Sequence, residues 1–212
     1  MLRSSRYKFI FVHAPKNAGS SIAGQLIPYA DFRPIKYITT PLRKLGFPIN
    51  IGAEPLSAHC TASEILELFG DSYFSYFSFG FTRNPFDRIY SVYSYIKFSK
   101  VRNPNGYKLR ECTGINDYII NVLGITHFPV TQFDYFYSAE KQLIVSYLGK
   151  VESMNQSLQY ISQKLSIPLT LQHINKSSTQ PRSESLTDDS IAKITDYFHN
   201  DFEFFGYKQS IL

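Results

Sequence analysis

One stretch, Lys8 to Leu26 (KFIFVHAPKNAGSSIAGQL), does most to limit what this chain can fold into. Lys8 to His13 is apolar almost without a break, the pattern of a strand buried on both faces of a mostly parallel sheet. Pro15 ends that strand. Lys16, Asn17, Ala18 and Gly19 make a tight turn, Ser20 and Ser21 stand at the N-cap position of a short helix over Ile22 to Ile27, and Pro28 closes the helix. Strand, turn and helix in this order bring unpaired backbone N–H groups and the positive end of the helix dipole to one point, where a phosphate or sulfate binds readily. Lys16 adds a full positive charge. An ordinary βα turn, with Gly19 present for a positive φ, is the competing reading of the same residues. The turn is not of the G-x-x-x-x-G-K-[ST] type, because Ala14 replaces the first glycine and Ser20 the lysine. With the lysine inside the loop and no G-K-[ST] to hold a nucleoside triphosphate with Mg²⁺, the pattern points to group transfer without a metal.

The rest of the chain supplies elements to flank such a strand. Thr61 and Glu64 form a capping box that opens a helix through Ile65, Leu66, Leu68 and Phe69, ended by Gly70, so that His59 lies in the loop just before a helix. Tyr76 to Thr82 (YFSFGFT) is a second strong strand, and Asn84-Pro85 starts a helix that runs through Tyr95. Further helices are expected over Asn116 to Leu123 and Gln156 to Leu165, and a last one from Thr187 through Ile191, Ile194 and Phe198. Leu143 to Glu152 reads as a strand with a bulge at Gly149. Pro28 to Ser57 is irregular and proline-rich, Ser99 to Gly114 is a basic loop, and Gln172 to Glu184 is a polar loop without periodicity. The first two are candidates for acceptor recognition, or else solvated surface.

At 212 residues the chain has the size of one domain, and residues 1–212 are read as a single α/β unit. The net charge of +5 favours an acidic partner, whether a nucleotide, an acidic glycan or nucleic acid. Cys60 and Cys112 are too few for a disulfide framework, no apolar run reaches membrane-span length, and the first strand leaves no room for a signal peptide. A soluble, cytoplasmic protein is therefore expected. No histidine pair has metal-ligand spacing. His13, at the strand end, reads as structural.

A second anion motif follows the second strand. In Thr82 to Tyr93 (TRNPFDRIYSVY), Arg83 leaves the strand where a helix begins, and Ser91 shares a helix face with Arg88 and Tyr95. An arginine fork matches phosphate oxygens, although Arg83 and Arg88 could equally pair with carboxylates such as Asp87. Together, FVHAPKNAGSSI (Phe11 to Ile22) and TRNPFDRIYSVY resemble the 5′-phosphosulfate loop and the 3′-phosphate motif of the PAPS-dependent carbohydrate O-sulfotransferases, the group of the chondroitin, HNK-1 and heparan 2-O enzymes. Gln132 with Phe133-Asp134, Leu148 to Glu152, His173 to Ser177 and the ending Asp201 to Tyr207 continue the resemblance over nearly the whole chain. Asn17-Ala18 departs from the Thr-Gly more often found in the loop.

The resemblance implies a P-loop-like core with a central, mostly parallel sheet flanked by helices. It also implies sulfuryl transfer from PAPS (3′-phosphoadenosine 5′-phosphosulfate) to a hydroxyl, most plainly of a carbohydrate acceptor. Lys16 would stabilise charge on the leaving group, Asn17, Ala18, Gly19, Ser20 and Ser21 would hold the 5′-phosphate, and Arg83 and Ser91 the 3′-phosphate. His59 matches the base position, and Asn175 and Ser177, with His173 nearby, match cofactor contacts. A P-loop-like nucleotide kinase and a basic nucleic-acid-binding module are the rival readings.

Overall fold

The phenylalanine-rich segments that precede the two expected anion turns form the middle of a sheet. The computed structural model describes residues 1–31, 59–98, 112–124, 130–170 and 185–210. Among these are strands β1 (Leu2–Ser4), β2 (Phe9–Phe11), β3 (Phe77–Thr82) and β4 (Tyr147–Lys150), in the spatial order β1-β2-β3-β4. β2 runs parallel to β3 and β3 to β4, while β1 is an antiparallel edge strand on β2. The helices in chain order are α1 (Gly19–Leu26), α2 (Ala62–Phe69), α3 (Pro85–Phe98), α4 (Ile115–Asn121), α5 (Phe133–Phe136), α6 (Met154–Leu165), α7 (Asp188–Tyr197) and α8 (His199–Phe205).

Successive strand residues point to opposite faces, and here both faces are apolar. Phe9, Phe11, Phe79 and Phe81 pack against Ile22 and Leu26 of α1 and against Leu158, Ile161 and Leu165 of α6. Ile10 and Val12 face the other way, onto Ile65 of α2, Phe133 and Phe136 of α5 and Phe205 of α8. A third cluster joins Phe86, Ile89 and Val92 of α3 to Tyr118 and Ile119 of α4, Ile194 of α7 and Phe202 of α8. Each such side chain, once buried, contributes about 1.5–3 kcal/mol by removing apolar area from water. The architecture is the expected α/β one, with a mostly parallel sheet between helices.

The capping box at α2 forms as read: the Glu64 N–H donates to Thr61 Oγ1 (3.2 Å) and the Thr61 N–H to Glu64 Oε2 (2.6 Å). Four local expectations are corrected. α1 starts at Gly19 with Ala18 as N-cap, so neither Ser20 nor Ser21 caps it. Gly149 makes no bulge; it sits in register opposite Phe81, where a Cβ would meet Phe81 Cε1 at 2.7 Å and Ser157 Cβ at 2.9 Å, so the glycine lets helix and strand close up. The last strand is only Tyr147–Lys150, because Leu143 and Ile144 belong to a bridged turn in which Leu143 pairs with Tyr137. The final helix breaks at Phe198 (φ −102°, ψ 27°) and resumes as α8. Residues 32–58, 99–111 and 171–184, which contain most of the proline-rich segment, the basic loop and the polar loop, lie outside the described residues. No described helix is long and apolar enough to cross a membrane.

Candidate active site

Because β2 and β3 are adjacent and parallel, the turns that follow them lie side by side at the carboxyl edge of the sheet, the place where open α/β sheets hold ligands. In the first turn, Lys16 (φ 69°) and Ala18 (φ 57°) are both left-handed, with Asn17 between them. Such a local reversal directs successive N–H groups into one concavity suited to an anion. α1 has no side-chain cap and no acidic residue in its first turn. Gly19 is not a positive-φ residue; a Cβ there would lie 1.9 Å from His13 Cδ2 and 2.0 Å from Nε2, so glycine is required for the His13 ring to press against the turn. Ser20 is exposed and Ser21 half-buried on the first turn of α1.

Asn17 is 1% exposed, and its side chain points inward: Nδ2 donates to the Phe81 carbonyl (2.6 Å) and to Gln132 Oε1 (2.8 Å). What Asn17 can offer an anion is therefore its backbone N–H. Gln132, fully buried, also accepts from the Arg83 N–H (2.7 Å) and donates through Nε2 to the Arg83 carbonyl (2.9 Å) and to Asp201 Oδ2 (3.0 Å). The Asp201 carboxylate accepts further from the N–H groups of Gln132 and Phe133. Burial raises the Asp201 carboxyl above the usual carboxylate range, against the opposing pull of the Arg88 charge and these N–H donors. One glutamine thus ties the first turn, the end of β3 and α8 together.

The second turn is closed by its own neighbours. Asn84 caps α3, accepting the Phe86 N–H at Oδ1 (2.9 Å) and the Arg88 N–H at its carbonyl (2.8 Å). The Asn84 N–H donates to Glu152 Oε1 (2.6 Å), and the Tyr207 hydroxyl donates to Glu152 Oε2 (3.1 Å). Arg88 does not reach Asp87: fully buried, it donates from Nε to the Pro15 carbonyl (3.3 Å) and from Nη2 to the Val130 carbonyl (2.9 Å), bracing the first turn from below.

Cationic groups gather between the turns. Arg83 Nη1 donates to the Lys16 carbonyl (3.4 Å), and Lys16 Nζ stands 4.2 Å from the centroid of the Tyr95 ring, one helical turn beyond Ser91 on α3. Burial lowers the Lys16 ammonium, and the Arg83 charge lowers it further. Arg83 is also lowered by burial, which Asp87 and Glu152 oppose. Two positive groups held this close and half-desolvated raise the affinity of the spot for an anion.

His59 sits next to this assembly. Its Nδ1 lies 3.1 Å from the His13 carbonyl oxygen, which can only accept, so Nδ1 carries the proton and the lone pair is on Nε2. The His13 ring packs against that of His59 (centroids 4.5 Å apart) and is held neutral, its pKa lowered to about 3, chiefly by burial and then by His59. The structure therefore brings together Lys16, Gly19, Arg83 and His59, places Ser91 on the helix that carries Tyr95, and turns the Asn17 side chain away. Asn175, Ser177 and His173 lie outside the described residues. Sequence reasoning gave Gln132 and Asp201 only a family match and read Arg88 as part of an anion motif or as a partner of Asp87, not as a brace for the first turn; a buried polar hub has no periodic signature.

Neither a curated protein nor a solved structure matches the chain. A profile of the sulfotransferase family does, over residues 1–208. With the strand, turn and helix order in place and a match over nearly its whole length, the chain belongs to the sulfotransferase family.

Proposed function

We propose that this sulfotransferase transfers a sulfuryl group from PAPS to a hydroxyl of a carbohydrate acceptor, with residues 1–212 acting as one unit and no metal taking part. The observation that carries the proposal is the junction at Lys16, left-handed in an uncapped turn and hydrogen-bonded through its carbonyl to Arg83. PAPS, when bound, supplies a sulfuryl group attached to a phosphate that departs as 3′-phosphoadenosine 5′-phosphate (PAP).

The chain's own residues fit that load. The N–H groups of Asn17 to Ser20, with the Ser20 and Ser21 hydroxyls, hold the 5′-phosphate, as an uncapped helix start with no acid in its first turn allows; the Ser21 N–H is taken by the Ala18 carbonyl (3.1 Å). The Lys16 ammonium stabilises negative charge as it develops on the leaving oxygen, a preorganised electrostatic contribution of the kind that often dominates catalysis. Arg83 and Ser91 take the 3′-phosphate, and Asn175 and Ser177 complete the nucleotide contacts. His59 receives the acceptor's hydroxyl proton at Nε2, the nitrogen that its bond to the His13 carbonyl leaves basic.

The carbohydrate class of the acceptor rests on the resemblance, and the net charge of +5 suits an acidic one. Neither cysteine is in a disulfide, which agrees with a cytoplasmic setting.

Calorimetric titration with PAP, AMP and ATP in the absence of metal tests the reading. Tight PAP binding, with AMP and ATP at least ~10-fold weaker, is expected, a tenfold ratio corresponding to one lost charge-assisted contact. Equal or absent binding overturns it, and ATP turnover dependent on Mg²⁺ would put a phosphotransferase in its place.

A further inference from the structure

We propose that Tyr95 is a positioning residue for Lys16: the face of its ring holds the lysine ammonium over the first turn, so that Tyr95 governs turnover rather than nucleotide affinity. The inference rests on the reading of Lys16 given above and adds a residue from a different element. Residue 16 is gripped at both ends. Arg83 Nη1 fixes its carbonyl, and the ammonium lies 4.2 Å from the Tyr95 centroid, within the distance at which a cation is attracted to the negative face of an aromatic ring.

The long, flexible lysine stem would otherwise sample many rotamers, at an entropic cost to any single catalytic position. Arg83 also repels the ammonium, which without a counterweight would drive it out toward water. The phenol ring supplies that counterweight without a carboxylate, and so without an ion pair that would neutralise the charge the reaction needs. Tyr95 is 46% exposed and half-open to solvent, so an arriving anion can reach the ammonium while the ring still faces it. Ser91, four residues earlier on α3, shares the face from which Tyr95 reaches the turn, so the helix that offers a hydroxyl for phosphate also holds the lysine.

The test compares the full chain with Tyr95→Phe, which keeps the ring face, and Tyr95→Leu, which removes it. The readout independent of donor is the pH dependence of Lys16 acetylation by acetic anhydride, followed by mass spectrometry of the Lys16 peptide. Tyr95→Leu is expected to move the midpoint down by about half a pH unit or more and to raise the acetylation rate at neutral pH about threefold, since the ring stabilises the charged form. Tyr95→Phe should behave as the unaltered chain. In sulfuryl transfer, Tyr95→Leu should lower kcat about 3- to 10-fold with the Kd for PAP within twofold, and Tyr95→Phe should restore kcat.

Identical Lys16 acetylation profiles in all three proteins overturn the proposal, as does a loss in Tyr95→Leu that Phe does not rescue. A shifted acetylation profile in a chain that fails to bind PAP would uphold the Lys16–Tyr95 contact and remove the donor assignment instead, so the two failures are separable.

Discussion

The two turns at the carboxyl edge of the sheet have the same plan, strand into helix, and opposite finishes. After β2 the chain enters α1 through left-handed Lys16 and Ala18, with no side chain capping the helix and no acid in its first turn. After β3 it enters α3 through Asn84 and Pro85, and the donors there are taken up by the Asn84 side chain and by Glu152. A helix start carries several N–H groups that need partners, so the turn lacking an internal acceptor is the one prepared for an external anion. The closed turn offers charged side chains instead. The two proposed phosphate sites therefore work by different means, backbone at the first and the Arg83 fork with the Ser91 hydroxyl at the second.

The chemistry attached to the first turn should respond most strongly to substitution. His59→Ala should lower turnover about 10²- to 10⁴-fold, the usual contribution of a general base, while the Kd for PAP stays within twofold, because His59 packs on the ring and carbonyl of His13 beside the turn. Full activity in that variant would move the base elsewhere. Gly19→Ala comes next. Its Cβ would overlap the His13 ring at 1.9 Å, and overpacking strain of roughly 1–3 kcal/mol placed on the turn should weaken PAP binding by up to about 100-fold. Adding His13→Ala to it should recover part of the affinity. Binding unchanged in Gly19→Ala would mean that the open turn is not where the anion sits.

At the second turn, Arg83→Ala should weaken PAP about 10- to 100-fold by removing ~1.5–3 kcal/mol of charge-assisted bonding, and leave AMP nearly unaffected. Calorimetry with both nucleotides separates the cases. An equal loss for PAP and AMP would place Arg83 on the 5′ side, toward the Lys16 carbonyl that it already touches.

The sequence made the two central strands, the order of the elements and the capping box of α2 legible because each has a short-range cause: apolar runs, a proline at a helix start, a threonine three residues before a glutamate. Lys16, Gly19, Arg83 and His59 stand out as candidates for the same reason, since all flank strand ends or helix starts. The reasons behind some of them were not legible. Gly19 invites a positive-φ explanation, but the structure gives that conformation to Lys16 and Ala18 and uses the glycine to admit His13, a contact across six residues. Ser20 and Ser21 resemble N-caps, yet the left-handed Ala18 starts the helix before them. Asn17 resembles a phosphate ligand, but its amide turns to Gln132, a partner 115 positions away that no local pattern signals. β1 was missed because three residues at a sheet edge carry too little alternation to register.

The smallest effect tests the closed turn directly. Asn84→Ala removes the side-chain acceptor of the Phe86 N–H and leaves the backbone bond from Asn84 to Glu152 in place. Loss of an asparagine N-cap costs typically about 1 kcal/mol of stability, seen as a lower denaturation midpoint with an unchanged slope. Pro85 keeps the first helical residue preorganised, which limits the damage to that one cap. If the donors of this turn serve the fold alone, PAP affinity should stay within twofold even as stability falls. An affinity loss of about tenfold or more, at unchanged stability, would show that the second turn also presents its backbone to the nucleotide, and the division between a backbone site and a side-chain site would fail.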